Sequence, residues 1–214
     1  MLKYYLIILL LLISSCEKKI IKPDNNIEKL NFRFFIFLHY KNNEYQGIGI
    51  SSIELNKYFK ARFYDVLFNN YLFDFISEIN GSNIILYSSK NIAYYKNDKF
   101  ISKLFVNLLY LLIVNENNIN FVDFGNFDYN IIENKIKKIV FYDYYDVLII
   151  EILKRFNNDI PRRIKISINE NYIIFDIIEF INENIDVNFD NFLFIQDNKK
   201  LNFFEWLGVL YGEN

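Results

Sequence analysis

Residues 60–79 read KARFYDVLFNNYLFDFISEI. Within this stretch Phe63, Val66, Leu67, Tyr71, Phe75 and Ile79 recur at the steps that line up one face of a helix. The Asn80-Gly81-Ser82-Asn83 group that follows is a helix stop. A helix at this point decides the fold, because the segments on either side read as strands. The expectation is therefore an α+β chain.

Working outward, residues 31–40 form a dense apolar and aromatic run, followed by the turn signal Lys41-Asn42-Asn43-Glu44 and a returning strand over 45–55. Downstream, 84–88 and 92–95 read as a hairpin. A second helix is predicted over about 99–115, with Ile101, Leu104, Phe105, Leu108 and Leu112 on one face; its apolar part is too short to span a bilayer. Residues 119–124 read as a strand ahead of Gly125-Asn126. The remainder predicts a strand over 136–141 and a helix over 144–156 carrying a Glu151–Arg155 pair. A hairpin over 164–168 and 172–177, a strand over 192–196 and an apolar tail over 203–211 complete it. The expected architecture is antiparallel strands and hairpins with two to three packing helices.

The two halves also match each other. Residues 63–67 lie over 144–148, both opening a predicted helix, and 91–101 lie over 171–181 at nearly the same offset. This reads as a degenerate tandem repeat of one small α+β module. The expected organisation is 1–15 leader, 16–29 tether, 30–126 first module and 127–214 second module, with a single 30–214 domain as the alternative.

Hydrophobic residues make up 52% and aromatics 19%, enough to bury a core. A formal charge of −2 removes the basic footprint of a nucleic-acid binder. One cysteine excludes disulfides within the chain and cysteine-based zinc sites, and one histidine excludes histidine clusters. The favoured residues, Asn, Ile, Lys, Phe and Tyr, have AT-rich codons, the mark of an AT-biased bacterial genome. Aromatic clusters are accordingly read first as core.

The N-terminus carries the most specific motif. Lys3 is followed by the unbroken apolar run 6–13 and then by Ile13-Ser14-Ser15-Cys16. The run is about half of a membrane span and reads as a cleaved signal. Its ending resembles the lipobox of bacterial lipoproteins, where small residues admit the signal peptidase and the cysteine thiol accepts a diacylglycerol. The resemblance implies lipid attachment at Cys16, acylation of the new N-terminus, and a bilayer as partner. Residues 17–26 are polar, include Pro23 and suit a tether. Glu17 is not the aspartate that some bacteria use for inner-membrane retention, which points to the outer membrane.

The predicted element order resembles the GerM-type domain, a family that includes two-copy lipoproteins. The residues carrying this resemblance are Asp65-Val66-Leu67-Phe68, Asn91-Ile92-Ala93-Tyr94-Tyr95, and the segments 119–126 and 192–200. The Gly-Pro pair that ends the family's first helix is missing. The resemblance implies an envelope assembly module with an unidentified protein partner and no catalytic residues.

No hydrolase, zincin, phosphate-loop or dinucleotide motif is present. Gly47-Ile48-Gly49 lacks the lysine and third glycine of a phosphate loop and reads as a flexible strand or bulge. His39 reads as a strand residue; Asp65, Asp143 and Asp146 read as helix caps; Asp186, Asp190 and Asp197 are too scattered for a calcium loop. Arg162-Arg163 reads as solvent-facing, with an anionic head group as the alternative. No catalytic, metal or cofactor site is expected. The expectation is a non-catalytic envelope interaction module, with ligand binding (a small molecule, glycan or host component) as the alternative.

Overall fold

In a computed structural model the described residues are 28–67, 69–87, 90–114, 119, 127–132, 135–142, 147–182, 185–186 and 193–196. The chain enters at β1 (Lys29–Tyr40) and runs as a meander through β2 (Asn43–Glu54), β3 (Tyr58–Asp65), β4 (Tyr71–Glu78), β5 (Ser82–Tyr87) and β6 (Ile92–Asn97). A helix, α1, then runs through Lys99–Lys103, a π-helical turn at Leu104–Leu108, and Leu109–Val114. A second meander follows: β7 (Phe127–Ile132), β8 (Lys135–Tyr142), β9 (Val147–Arg155), β10 (Pro161–Ile168) and β11 (Asn171–Phe180), with β12 (Leu193–Gln196) last.

Among the described residues these strands make one sheet of twelve, in the order β12-β6-β5-β4-β3-β2-β1-β11-β10-β9-β8-β7. Neighbours are antiparallel except β12 and β6. The two meanders join where β1 pairs with β11, Phe32 opposite Phe180 and His39 opposite Tyr172.

Alternation writes the inner face. Along β1, Leu30, Phe32, Phe34, Ile36, Leu38 and Tyr40 are buried while the residues between them are less so. Opposite Phe32, Phe34 and Ile36 the positions on β2 are small, Ser51, Gly49 and Gly47. A Cβ at Gly49 would run into the Phe34 ring, which is itself enclosed by Phe32, Phe63 and Phe175. Gly47-Ile48-Gly49 is thus regular strand, and Gly49 is glycine because a core ring occupies its side-chain space.

The sheet curls around α1. Phe105 meets Phe75 of β4 at 5.2 Å between centroids, and Phe100 meets Phe141 of β8 at 5.8 Å. In a flat sheet β4 and β8, seven strand spacings apart, would be separated by about 34 Å. Five residues of helix span only about 7.5 Å. One helix can touch both strands only if the sheet wraps it. At the start of α1, Asp98 caps the backbone N–H groups of Phe100 and Ile101. Ser102 beside that cap joins a buried knot in which Ser77 Oγ donates to Asn83 Oδ1 at 2.7 Å, and Asn83 Nδ2 donates to the carbonyls of Gly81 and Asp98.

This β-dominated fold overturns the α+β expectation with two to three helices. The helix expected at 99–115 forms over 99–114. The stretch 60–79 is instead the β3–β4 hairpin, with Phe63 paired to Phe73 and Phe75 to Ala61. The stretch satisfies both periods: Ala61 and Phe63, then Phe73 and Phe75, alternate inward, while Phe63, Val66, Leu67, Tyr71, Phe75 and Ile79 recur at helical steps. The turn chemistry settles the choice. Asp65 Oδ1 accepts from the Leu67 N–H at 2.8 Å, and Asn69 takes a left-handed φ of 52°.

The helix expected at 144–156 is likewise β9, with Leu148, Ile150 and Ile152 inward. Glu151 faces Lys138 and Lys165 across the ladder instead of Arg155, whose guanidinium donates to the carbonyls of Ile136 and Asp159. Residues 63–67 and 147–148, expected to open matching helices, are thus strand or turn. The predicted strand after Ile119 and the apolar tail over 203–211 lie outside the described residues. Among the described residues, no helix is long and apolar enough to cross a membrane.

Candidate functional site

The meander gives the sheet two rims of different chemistry. The near rim receives the chain at Lys29 and collects the β2–β3, β4–β5 and β9–β10 turns. The far rim collects the β1–β2, β3–β4, β5–β6, β8–β9 and β10–β11 turns and the start of β12. On the near rim the described turn tips are Asn56-Lys57, Asn80-Gly81 and 157–159, all polar. The apolar neighbours there, Leu55, Ile79 and Phe156, pack back onto the core.

The far rim is different. At the β3–β4 tip Leu67 is 82% exposed and Val66 39%. Leu193, opening β12, is 66% exposed, and Tyr142 and Val147, flanking the β8–β9 turn, are exposed as well. The β3–β4 tip is braced: Asp65 N–H donates to the Asn70 carbonyl at 2.9 Å, and Asn69 N–H donates back to the Asp65 carbonyl at 3.1 Å. A braced turn that holds its leucine outward is a surface feature that the folding of the hairpin itself does not require.

A second feature lies on the outer face of the sheet near the same rim. A groove of about 340 Å³ opens over β1, β2 and β11, with Phe37, His39, Glu44, Gln46, Arg163 and Ile174 in its walls. A recess of about 440 Å³ between the β1–β2 and β10–β11 turns shares His39 with it. The His39 ring stacks on Tyr172, with centroids 5.0 Å apart and 9° between planes. The other ring contact of Tyr172 is cationic, the Lys165 ammonium 4.6 Å from its centroid. His39 Nδ1 is buried without a hydrogen-bond partner, 3.9 Å from Glu44 Oε1.

The residues singled out from the sequence take varied positions. His39 is in the groove wall. Asp65 braces the β3–β4 tip rather than capping a helix. Asp186 lends its backbone carbonyl to Arg62 Nη2 at 3.0 Å. Arg162 and Arg163 both bind the buried Asp176 carboxylate, Arg162 Nε at 3.2 Å and Arg163 Nε at 2.9 Å; a bulge at the start of β10 lets adjacent residues reach one acceptor. They are not simply solvent-facing. Cys16, Asp143, Asp146, Asp190 and Asp197 lie outside the described residues.

Sequence reasoning missed three things. It set Val66 and Leu67 on an inner helical face, although Asp65 and Asn69-Asn70 on either side were available as turn signals. It passed over Tyr172. It also left unpaired Arg62 and Asp74, which face each other across β3 and β4 and bond twice, Nε to Oδ1 at 2.8 Å and Nη2 to Oδ2 at 2.9 Å. Burial pushes the Asp74 carboxyl above the usual aspartate range, against the opposing pull of that guanidinium. Among the described residues, no group of three or more His, Cys, Asp or Glu could hold a metal ion.

No family model matches the chain, and no curated protein does. Solved structures similar to it include a LolA-superfamily protein from Nitrosomonas europaea, at 8% identity and a TM-score of 0.48, over 75% of this chain and 89% of that one. A DUF1329-family protein from Desulfovibrio piger is similar at 8% identity and a TM-score of 0.47, over 72% and 85%. An uncharacterised conserved protein from Thermus thermophilus is similar at 10% identity and a TM-score of 0.40, over 81% and 93%.

Proposed function

We propose that the protein is a lipid-anchored, non-catalytic module of a bacterial outer membrane that touches a lipid phase through the apolar tips of its far rim. The observation that carries the reading is the braced β3–β4 tip with Leu67 82% exposed, set against a near rim whose described tips are polar. Separate apolar points along one rim do not make a single patch for a protein groove. A fluid apolar slab accepts them individually, and Tyr142 has the amphipathic ring suited to its interface.

The lipobox at Ile13-Ser14-Ser15-Cys16 supports attachment through Cys16, and the chain enters the sheet on the near rim at Lys29. Residues 17–28 can reach about 40 Å when extended. Strand β1 is also about 40 Å long, so the tether is long enough for the far rim to swing back onto the bilayer. The described charges of that rim, Lys41 and Lys90 with Glu44, Asp65 and Glu170, leave no positive surplus. Adsorption is accordingly apolar rather than electrostatic.

Two measurements test this. Replacing Cys16 with Ala should abolish labelling by radioactive fatty acid and move the protein from the detergent phase to the aqueous phase; unchanged partitioning would sink the anchor. Residues 17–214, carrying no lipid, should co-sediment with phosphatidylcholine vesicles and stay bound in high salt. Leu67→Glu should lower that partitioning about tenfold or more, whereas Lys57→Gln on the near rim should leave it unchanged. A parent protein that stays in the supernatant at millimolar lipid would refute the lipid contact. So would Leu67-dependent self-association without vesicles.

A further inference from the structure

We infer that the groove over β1, β2 and β11 binds a neutral saccharide of one or two rings. Its volume, about 340 Å³ with a further recess of about 440 Å³ sharing His39, is on the scale of small-ligand sites. Phe37 and Ile174 supply an apolar wall for the C–H face of a sugar ring. The neutral polar groups around it include four amides, Gln46 in the groove and Asn42, Asn169 and Asn171 in the recess. Amides offer donors and acceptors together, which is what vicinal hydroxyls require.

Charge argues against an ionic ligand. In the groove Arg163 is set against Glu44, and in the recess Lys41 against Glu170, so neither sign dominates. The unsatisfied atom points to a polar occupant. His39 Nδ1 is buried with no hydrogen-bond partner, and 3.9 Å to Glu44 Oε1 is too long to provide one. A buried polar nitrogen is costly to leave unmade. The ring that carries it is held by its stack on Tyr172, so once the exposed Glu44 side chain beside it turns aside, a hydroxyl or acetamido N–H from the ligand meets a fixed partner.

The test is NMR titration of isotope-labelled residues 17–214 with maltose, lactose and N,N′-diacetylchitobiose, using gluconate and glucosamine as charged counterparts. At least one neutral disaccharide should shift the backbone amides of His39, Glu44 and Asn171. His39→Phe keeps a ring against Tyr172 but removes the nitrogen, and should weaken that affinity about tenfold with a Tm no lower than the parent's. The inference is overturned if no neutral saccharide moves these amides at tens of millimolar, if a charged counterpart binds more tightly, or if His39→Phe binds as well as the parent. It is independent of the vesicle contact, because the variant leaves Leu67 and the far-rim tips intact.

Discussion

Phe105→Ala is expected to destabilise the fold by about 3–5 kcal/mol, read as a fall in the urea midpoint with the slope unchanged. Phe105 is buried in the π-helical turn of α1, its ring against Phe59, Phe75 and Phe175, from β3, β4 and β11. Those strands belong to different meanders, so one truncation opens a cavity at the point where the curled sheet closes on its helix. The surrounding rings are themselves locked in contacts and cannot collapse into the space, which puts the cost at the high end for a large-to-small change. Phe105→Leu should recover roughly half. A loss below about 1 kcal/mol for the alanine variant would mean that the helix is not what holds the curl.

Arg62→Met should cost about 3 kcal/mol at neutral pH and progressively less on acidification. The reason is Asp74, buried between β4 and its neighbours with Arg62 as its double hydrogen-bond partner. Its carboxyl is already pushed above the ordinary aspartate range by burial, and the guanidinium is what opposes that push. Removing the guanidinium raises it further. A carboxyl whose folded pKa exceeds its unfolded value carries its penalty at all pH above the folded value. The penalty then disappears as pH falls to the unfolded value, near 3.8. Stability of the variant relative to the parent should therefore rise as pH is lowered through the weakly acidic range. Arg62→Met, Asp74→Leu should be close to the parent at every pH, because neither partner is left alone. Chemical denaturation of the three proteins across pH checks this; a pH-independent deficit in Arg62→Met would show that the loss is of packing against Tyr71, over whose ring the guanidinium lies.

The hairpins at 31–55, 84–95 and 164–177 were legible because turn residues punctuate them, Lys41-Asn42, Asn91 and Asn169 all taking left-handed φ. The helix at 99–114 was legible from Ile101, Leu104, Phe105, Leu108 and Leu112 at helical steps, although its run from Leu104 is apolar enough to fit period two as well. At 60–79 and 144–156 the apolar density is high enough to satisfy period two and period 3.6 together, so local pattern could not choose. The choice at β9 comes from hydrogen-bonded partners on both sides, β8 and β10, neither visible from within the segment. The same ambiguity hid the candidate sites. Leu67 reads as core on a helix and as a tip on a hairpin, and the His39–Tyr172 stack joins residues more than a hundred positions apart.

By itself the sequence determined the lipobox-like motif ending at Cys16, the capacity to bury a core, and the central hairpins, because each rests on local chemistry read within a few residues. Only the tertiary structure decided that the described strands form one curled β-sheet around α1, with apolar tips on one rim and the outer groove beside it. Those features depend on which strands find one another, above all β1 with β11, and long-range pairing is chosen by the energy of the whole sheet rather than by any segment within it.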